Sequence, residues 1–370
     1  MKKTLAALAV LGAFAGSAMA ADVTLYGALD TGFEYKHTKS TGEKAVDKFD
    51  MQTGWDTGNR WGLKGSEDLG NGYKVSFKLE SGFNGDDGTM GQSGRLFGRE
   101  AGLTLSGPFG SVAFGRFGGI ASSAGTYDML GYVESFDGGD GDVWGFAASD
   151  RYDNMVVYQT PRFAGLQLTA QYSFKTDSKQ SIKDGDYSGD EGTSDAQRYA
   201  SVGLSGEYGP ASFAVGYELT KYGVNDGERA LDKDGQLVFV GGNYDLEVVQ
   251  LFAEAQYFKH QTAAGGWELE TKELGNGALD LKGYGLHLGA AAPLVGGTLT
   301  AGLYYVDFTQ ENVGEADADA KYYGVSARYN YPLSERTSLY AGAGYGQTKA
   351  DDSGDKDQLT QVYCGLVHTF

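Results

Sequence analysis

The sequence predicts an all-β fold: a 16-stranded antiparallel transmembrane β-barrel with short periplasmic turns, long outer loops and an inward-folded third loop. Three observations predict it. Apolar and polar residues alternate from end to end of the chain. The connections between alternating runs are short and long by turns. No apolar run beyond the N-terminus approaches the ~20 residues that a membrane helix needs, whereas a barrel strand needs only ~10.

The alternation is explicit. In the first run, Val23, Leu25, Leu29, Phe33 and Tyr35 share one face, and Thr24, Tyr26, Asp30, Glu34 and Lys36 share the other. Tyr73, Val75, Phe77 and Leu79 alternate with Lys74, Ser76, Lys78 and Glu80. The same pattern recurs in Leu166–Phe174, Phe213–Thr220 and Tyr323–Tyr331. Successive strand residues point to opposite faces, so each run offers one apolar and one polar face. Sixteen such runs start near Val23, Thr57, Tyr73, Leu96, Ser111, Arg151, Leu166, Tyr199, Ala211, Gln236, Glu247, Lys282, Thr298, Tyr322, Thr337 and Thr360.

The connections sort by length. Short ones carry Gly, Pro and Asn-Gly turn chemistry, as in Asn71-Gly72, Pro108, Pro161, Pro210 and Pro332. Long ones are acidic and glycine-rich, among them His37 to Asp56, Asn84 to Arg95, Lys175 to Arg198 and Gln261 to Leu281. Outer-membrane barrels have this asymmetry, and a soluble β-sandwich has no reason for it. An open sheet has edges whose N–H and C=O groups lipid cannot satisfy, so the sixteenth strand must pair with the first. Sixteen strands enclose water rather than a packed core. Tyrosines on the apolar parity (Tyr35, Tyr172, Tyr217, Tyr305, Tyr329, Tyr345) suit the lipid–water boundary.

Residues 1–20 read as a secretory signal peptide. Lys2 and Lys3 precede the apolar run Leu5 to Phe14, and Ala18-Met19-Ala20 is a cleavage site. Residues 21–370 are then the barrel. That mature chain has 28 Lys and Arg against 49 Asp and Glu, a formal charge of −21, which argues against nucleic acid as a partner. The single cysteine, Cys364, excludes an intrachain disulfide.

The connection 119–149 differs from the others. It mixes Tyr127, Tyr132, Phe136, Trp144 and Phe146 with Asp128, Glu134, Asp137, Asp140 and Asp142. Aromatics pack and acids seek water, so the segment suits the inner wall of a wide, wet cavity. Its Asp137-Gly138-Gly139-Asp140-Gly141-Asp142 stretch hints at calcium, but the distal Glu of a complete calcium loop is missing; no metal and no cofactor are expected.

The chain ends in Phe370, preceded on the same parity by His368, Leu366, Cys364 and Val362. This looks like the assembly signal of outer-membrane proteins. With Asp22-Val23-Thr24-Leu25-Tyr26-Gly27, Arg60-Trp61-Gly62-Leu63-Lys64-Gly65, Phe97-Gly98-Arg99 and Gly115-Arg116, the chain resembles the Gram-negative general porins of the neisserial and betaproteobacterial type. The resemblance implies a homotrimer in the outer membrane, in contact with lipid and lipopolysaccharide, inserted by the barrel assembly machinery and passing ions and small hydrophilic solutes. It implies that the third loop narrows each pore, its acids facing Arg60, Lys64, Lys78, Arg99 and Arg116, with Arg328 further off. Arg60, Lys64 and Lys78 also stand on the polar parity. Arg99 and Arg116 share parity with Ala101, Leu103 and Phe114, which calls for bulges or a face packed on another subunit.

The loop acids and the net charge favour cations over anions in the pore. No nucleophile elbow surrounds any serine, and of four histidines only His287 stands on the polar parity within a strand, so no enzyme is expected. A solute-specific channel would use an aromatic slide, for which Tyr304, Tyr322 and Tyr340 share the polar parity. An adhesin or anchor barrel would share every strand feature but would not need the folded-in loop.

Overall fold

The computed structural model describes residues 23–133, 136, 146–179, 189–225, 228–229, 231–262, 280–311 and 317–370. The signal segment with Ala18 and Ala20 lies outside these residues. Sixteen wall strands pair in sequence order, each antiparallel to its neighbour. Every expected strand start falls within about four residues of an observed one. Lys356–Thr369 returns to pair with Thr24–Ser40, in register from Ala28 opposite Thr369 to Ser40 opposite Asp357, and this closes the ring. Phe370 extends the ladder, its N–H bonding the Gly27 carbonyl at 3.1 Å.

The parity read from sequence is the parity of the wall. Val23, Leu25, Leu29 and Phe33 are exposed on the outside, while Ala28, Asp30 and Glu34 are buried within. An outward band of exposed apolar side chains is the lipid face of a barrel. Leu366 and Phe370 are exposed outward, as is His368, whereas Val367 turns inward. Tyr35, Tyr217 and Tyr345 are exposed outside. The Tyr329 hydroxyl reaches the Leu294 carbonyl at a turn, and the Tyr35 hydroxyl reaches Asp47 at the opposite end, as amphipathic rings do at membrane boundaries.

The second wall strand departs from expectation. His37 to Asp56 was expected as one long loop. Instead the first strand runs to Ser40 and the chain turns back at once as Val46–Thr53, paired from Thr38 opposite Val46 to Thr31 opposite Thr53. The wall resumes in the same direction at Arg60–Gly70, paired with Thr24 to Ala28. Lys48, Asp50 and Gln52 alternate with Asp47, Phe49 and Met51 too weakly to signal a strand; the backbone ladder forms it. Between the two halves, residues 54–59 leave the wall and enter the barrel.

Candidate pore constriction

Two chain segments fill the barrel interior. The larger is the described part of 119–149. Its apolar side chains Ile120, Met129, Leu130, Val133 and Phe146 bury against Leu237, Phe239, Phe258, Val306 and Tyr322 of the wall. Polar wall groups anchor its backbone. Ile120 N–H donates to the Tyr199 hydroxyl at 3.2 Å, and Ala121 N–H donates to Glu218 Oε1 at 3.0 Å. Asn243 donates to the Tyr132 carbonyl at 2.7 Å, and Gln256 donates to the Ala147 carbonyl at 2.7 Å. The Tyr304 hydroxyl donates to the Phe136 carbonyl. The loop therefore folds inward, as its composition required, and lies along the wall from Arg198–Tyr208 round to Ala318–Ser334.

The smaller segment is 54–59, which sequence reading placed at a loop end. Trp55 is buried, stacks on Tyr363 at 4.8 Å and packs with Tyr340 and Val367. Asp30 receives the N–H groups of Asp56 and Thr57 at 2.7 and 2.9 Å and the Tyr340 hydroxyl at 2.7 Å. Arg328 joins the two segments. Its guanidinium lies 3.1 Å from the Asp56 carboxylate, donates to the Trp55 carbonyl at 3.2 Å, and sits 5.0 Å from the centre of the Phe136 ring.

The remaining wall, from Arg60–Gly70 to Arg151–Gln159, carries the basic side chains. Arg60 donates to Thr57 Oγ1 and the Gly58 carbonyl, both at 3.1 Å. Lys64 lies over the Tyr26 ring at 5.2 Å. Lys78 pairs with Glu100 at 2.9 Å and Glu80 at 3.6 Å, and Arg99 pairs with Glu80 at 2.7 Å. Arg116 donates to the Gly98 carbonyl at 2.7 Å and pairs with Asp153 at 2.6 Å. All five expected bases thus lie on one arc of wall. The parity conflict resolves in both cases. Arg99 precedes its strand, which begins at Glu100, so Ala101 does not fix its side. At Arg116 the register slips between Gly115 and Phe117, and Gly115 takes φ +139°, a conformation open to glycine. Arg116 lines a vestibule of about 610 Å³ together with Arg95 and Arg151.

Sequence reading missed Glu80 and Glu100 as partners of these bases, although Glu80 stands on the polar parity beside Lys78. It also missed Arg151. Arg60 and Arg99 repel one another, with Glu80 attracting Arg60, and Arg151 is repelled by Arg99 and Arg116 while Asp150 and Glu80 attract it. Among the described residues Arg151 forms no ion pair.

Of the loop acids, Glu134, Asp137, Asp140 and Asp142 lie outside the described residues. Asp128 turns into its own loop, where it accepts the N–H groups of Leu130 and Gly131 at 3.1 and 3.3 Å. It lines a cleft of about 410 Å³ with Glu207, Asn243, Asp245 and Gln250, away from the basic arc. Burial pushes its carboxyl up to about 6 against those backbone bonds. Tyr304, Tyr322 and Tyr340 are buried beneath the two inward segments and form no open aromatic slide. His287 lies in the interior, stacked on Tyr304 at 4.7 Å and beside Phe252 at 5.4 Å.

The family model described as Gram-negative porin matches residues 6–352. An outer membrane porin protein of Bordetella pertussis is 35% identical over the full length of both chains. The major outer membrane protein P.IB of Neisseria gonorrhoeae is 28% identical, again over both full lengths. The solved anion-selective porin of Comamonas acidovorans superposes with a TM-score of 0.67 at 27% identity, covering 95% of this chain and 100% of that one. A closed sixteen-stranded wall, an apolar outer band, an inward loop and these relatives agree: the chain belongs to the Gram-negative porin family and is an outer-membrane channel.

Proposed function

We propose that solutes cross by passive diffusion through the gap between the inward loop and the basic arc, and that the gap favours small anions. The observation that supports this reading is the division of the interior. The loop occupies the wall from Arg198–Tyr208 to Ala318–Ser334, while Arg60, Arg99, Arg116 and Arg151 stand on the other side, and Arg151 feels Asp150 and Glu80 without forming an ion pair with any described acid. Wall acids Glu80, Glu100 and Asp153 hold the neighbouring bases in place rather than meeting the solute. Charge lining a narrow passage outweighs net charge on distant loops, because salt screens fields beyond ~8 Å. This reverses the preference expected from the loop acids. The named selectivity of the Comamonas porin points the same way.

The channel works as a homotrimer set in lipid and lipopolysaccharide and delivered by the barrel assembly machinery. We expect passage without catalysis: His287, the histidine that the sequence pointed to, is packed between two rings. The test is the reversal potential of purified protein in a planar bilayer across a potassium chloride gradient. A potential of the sign that chloride carries supports the reading; the opposite sign overturns it. Conductance steps lost in threes support the trimer.

A further inference from the structure

Below the arginines, toward the short turns, the wall encloses a second basic recess of about 370 Å³. It is lined by Lys64, Lys74 and Lys78, with Glu100 and the hydroxyl side chains Thr24, Ser66 and Ser76. Lys64 and Lys78 are direct cross-strand partners. Like charges directly opposite one another destabilise a sheet, so folding alone gives no reason for the pair. Lys78 is answered by Glu100 and Glu80. Among the described residues Lys64 and Lys74 form no ion pair; Asp68 stands opposite Lys74 across the sheet, and Lys64 is held over Tyr26. The recess therefore keeps surplus positive charge beside hydroxyl donors, on the far side of the loop root, where Thr126 bonds Glu100 at 2.6 Å.

We propose that Lys64, Lys74 and Lys78 form a second anion station, between the constriction and the turn end of the barrel, that holds the phosphate group of small solutes. An ammonium binds phosphate as a compact point charge, and three ammonium groups lining one recess match the higher charge of a phosphate better than the single charge of a carboxylate. Thr24, Ser66 and Ser76 supply further donors around it. The station gives an anion released by the arginine arc a place to pause, and it makes phosphate transport saturable. This rests on the anion preference proposed above, but it can fail separately.

The experiment is single-channel conductance of the intact protein in sodium phosphate of rising concentration, with inorganic phosphate as the probe. Native channels are expected to saturate. In the double variant Lys64→Gln, Lys74→Gln the half-saturating concentration is expected to rise about tenfold, the loss of ~1.4 kcal/mol of binding. Lys64→Arg, Lys74→Arg keeps the charge and is expected to saturate within about threefold of native, which separates lost charge from damaged folding. Conductance that stays linear in the native channel, or saturates equally in the glutamine variant, overturns the station. Saturation lost in the glutamine variant of a channel whose chloride reversal potential shows cation preference would keep the station and discard the anion preference.

Discussion

The Arg328 guanidinium lies 3.1 Å from the Asp56 carboxylate, and through that pair the 54–59 segment is tied to the Ala318–Ser334 strand. The same guanidinium covers Phe136, so one side chain steadies both inward segments. Arg328→Gln leaves Asp56 half-buried without its cation. Such a loss costs about 2 kcal/mol, less than for a fully buried pair. The expected outcome is more frequent flickering in single-channel records and a lower unfolding temperature in detergent. An unchanged record would mean that Tyr304 and Trp55 hold the segments without it.

Arg151 and Glu100 give selectivity changes of opposite sign. Arg151→Gln removes a charge that lines the vestibule and should move the chloride reversal potential toward zero. Glu100→Gln frees Lys78 from the nearer of its two acids and should move it further from zero. Both shifts should shrink in molar salt, where the screening length falls to about 3 Å.

Asp128 makes loop anchoring depend on pH. Its carboxyl has a folded value of about 6, above the ordinary 3.8, so folding disfavours the ionised form. The neutral form is stable in the loop at low pH, and that stability is lost as pH rises through about 4 to 6. Glu218 and Glu254 lie close enough to interact with its charge. Asp128→Asn should flatten the fall in unfolding temperature between pH 4 and pH 6. A curve identical to native would assign the pH dependence to other acids.

The Phe370 ring lies over Gly27. A β-carbon on Gly27 would come within 2.3 Å of that ring. The same β-carbon would lie 2.7 Å from the Arg60 carbonyl, so Gly27→Val presses on both the last residue and the neighbouring strand, an overpacking cost of ~1–3 kcal/mol. Refolding into detergent should yield less heat-modifiable barrel, while Gly27→Ala should fall between native and valine. Equal yields for all three would show that the C-terminal ring yields freely.

The strands were legible because the environment imposes a period of two on every wall residue, lipid on one side and water on the other. Leu25 and Asp30 reveal their sides by chemistry alone. The Val46–Thr53 half-strand escaped notice because it stands at the loop end, where neither face meets a continuous apolar phase. The inward path of 54–59 escaped for another reason. Trp55 reads as an ordinary aromatic until Tyr340 and Tyr363, from the other end of the chain, are brought beside it. The inward loop was legible in its mixture of acids and rings, but its partners were not. Glu218, Asn243 and Tyr304 are ordinary interior positions, and only closure of the wall puts them against Ala121, Tyr132 and Phe136. The bases were legible as types, and their pairing with Glu80, Glu100 and Asp153 was not, because cross-strand register does not show in local sequence.

Thr24–Ser40 finds one of its two neighbours only in Lys356–Thr369, so its outer ladder stays open until the final residues arrive. Nearly the whole chain must be exported before any of it can be sealed. A strand with an unmet edge invites pairing with other chains, and contacts between the two ends make folding slow. The interval between export and closure is thus when this protein is most exposed to aggregation. An escort that shields apolar alternating runs would matter most then, and truncation by even one strand would leave an open sheet rather than a smaller pore.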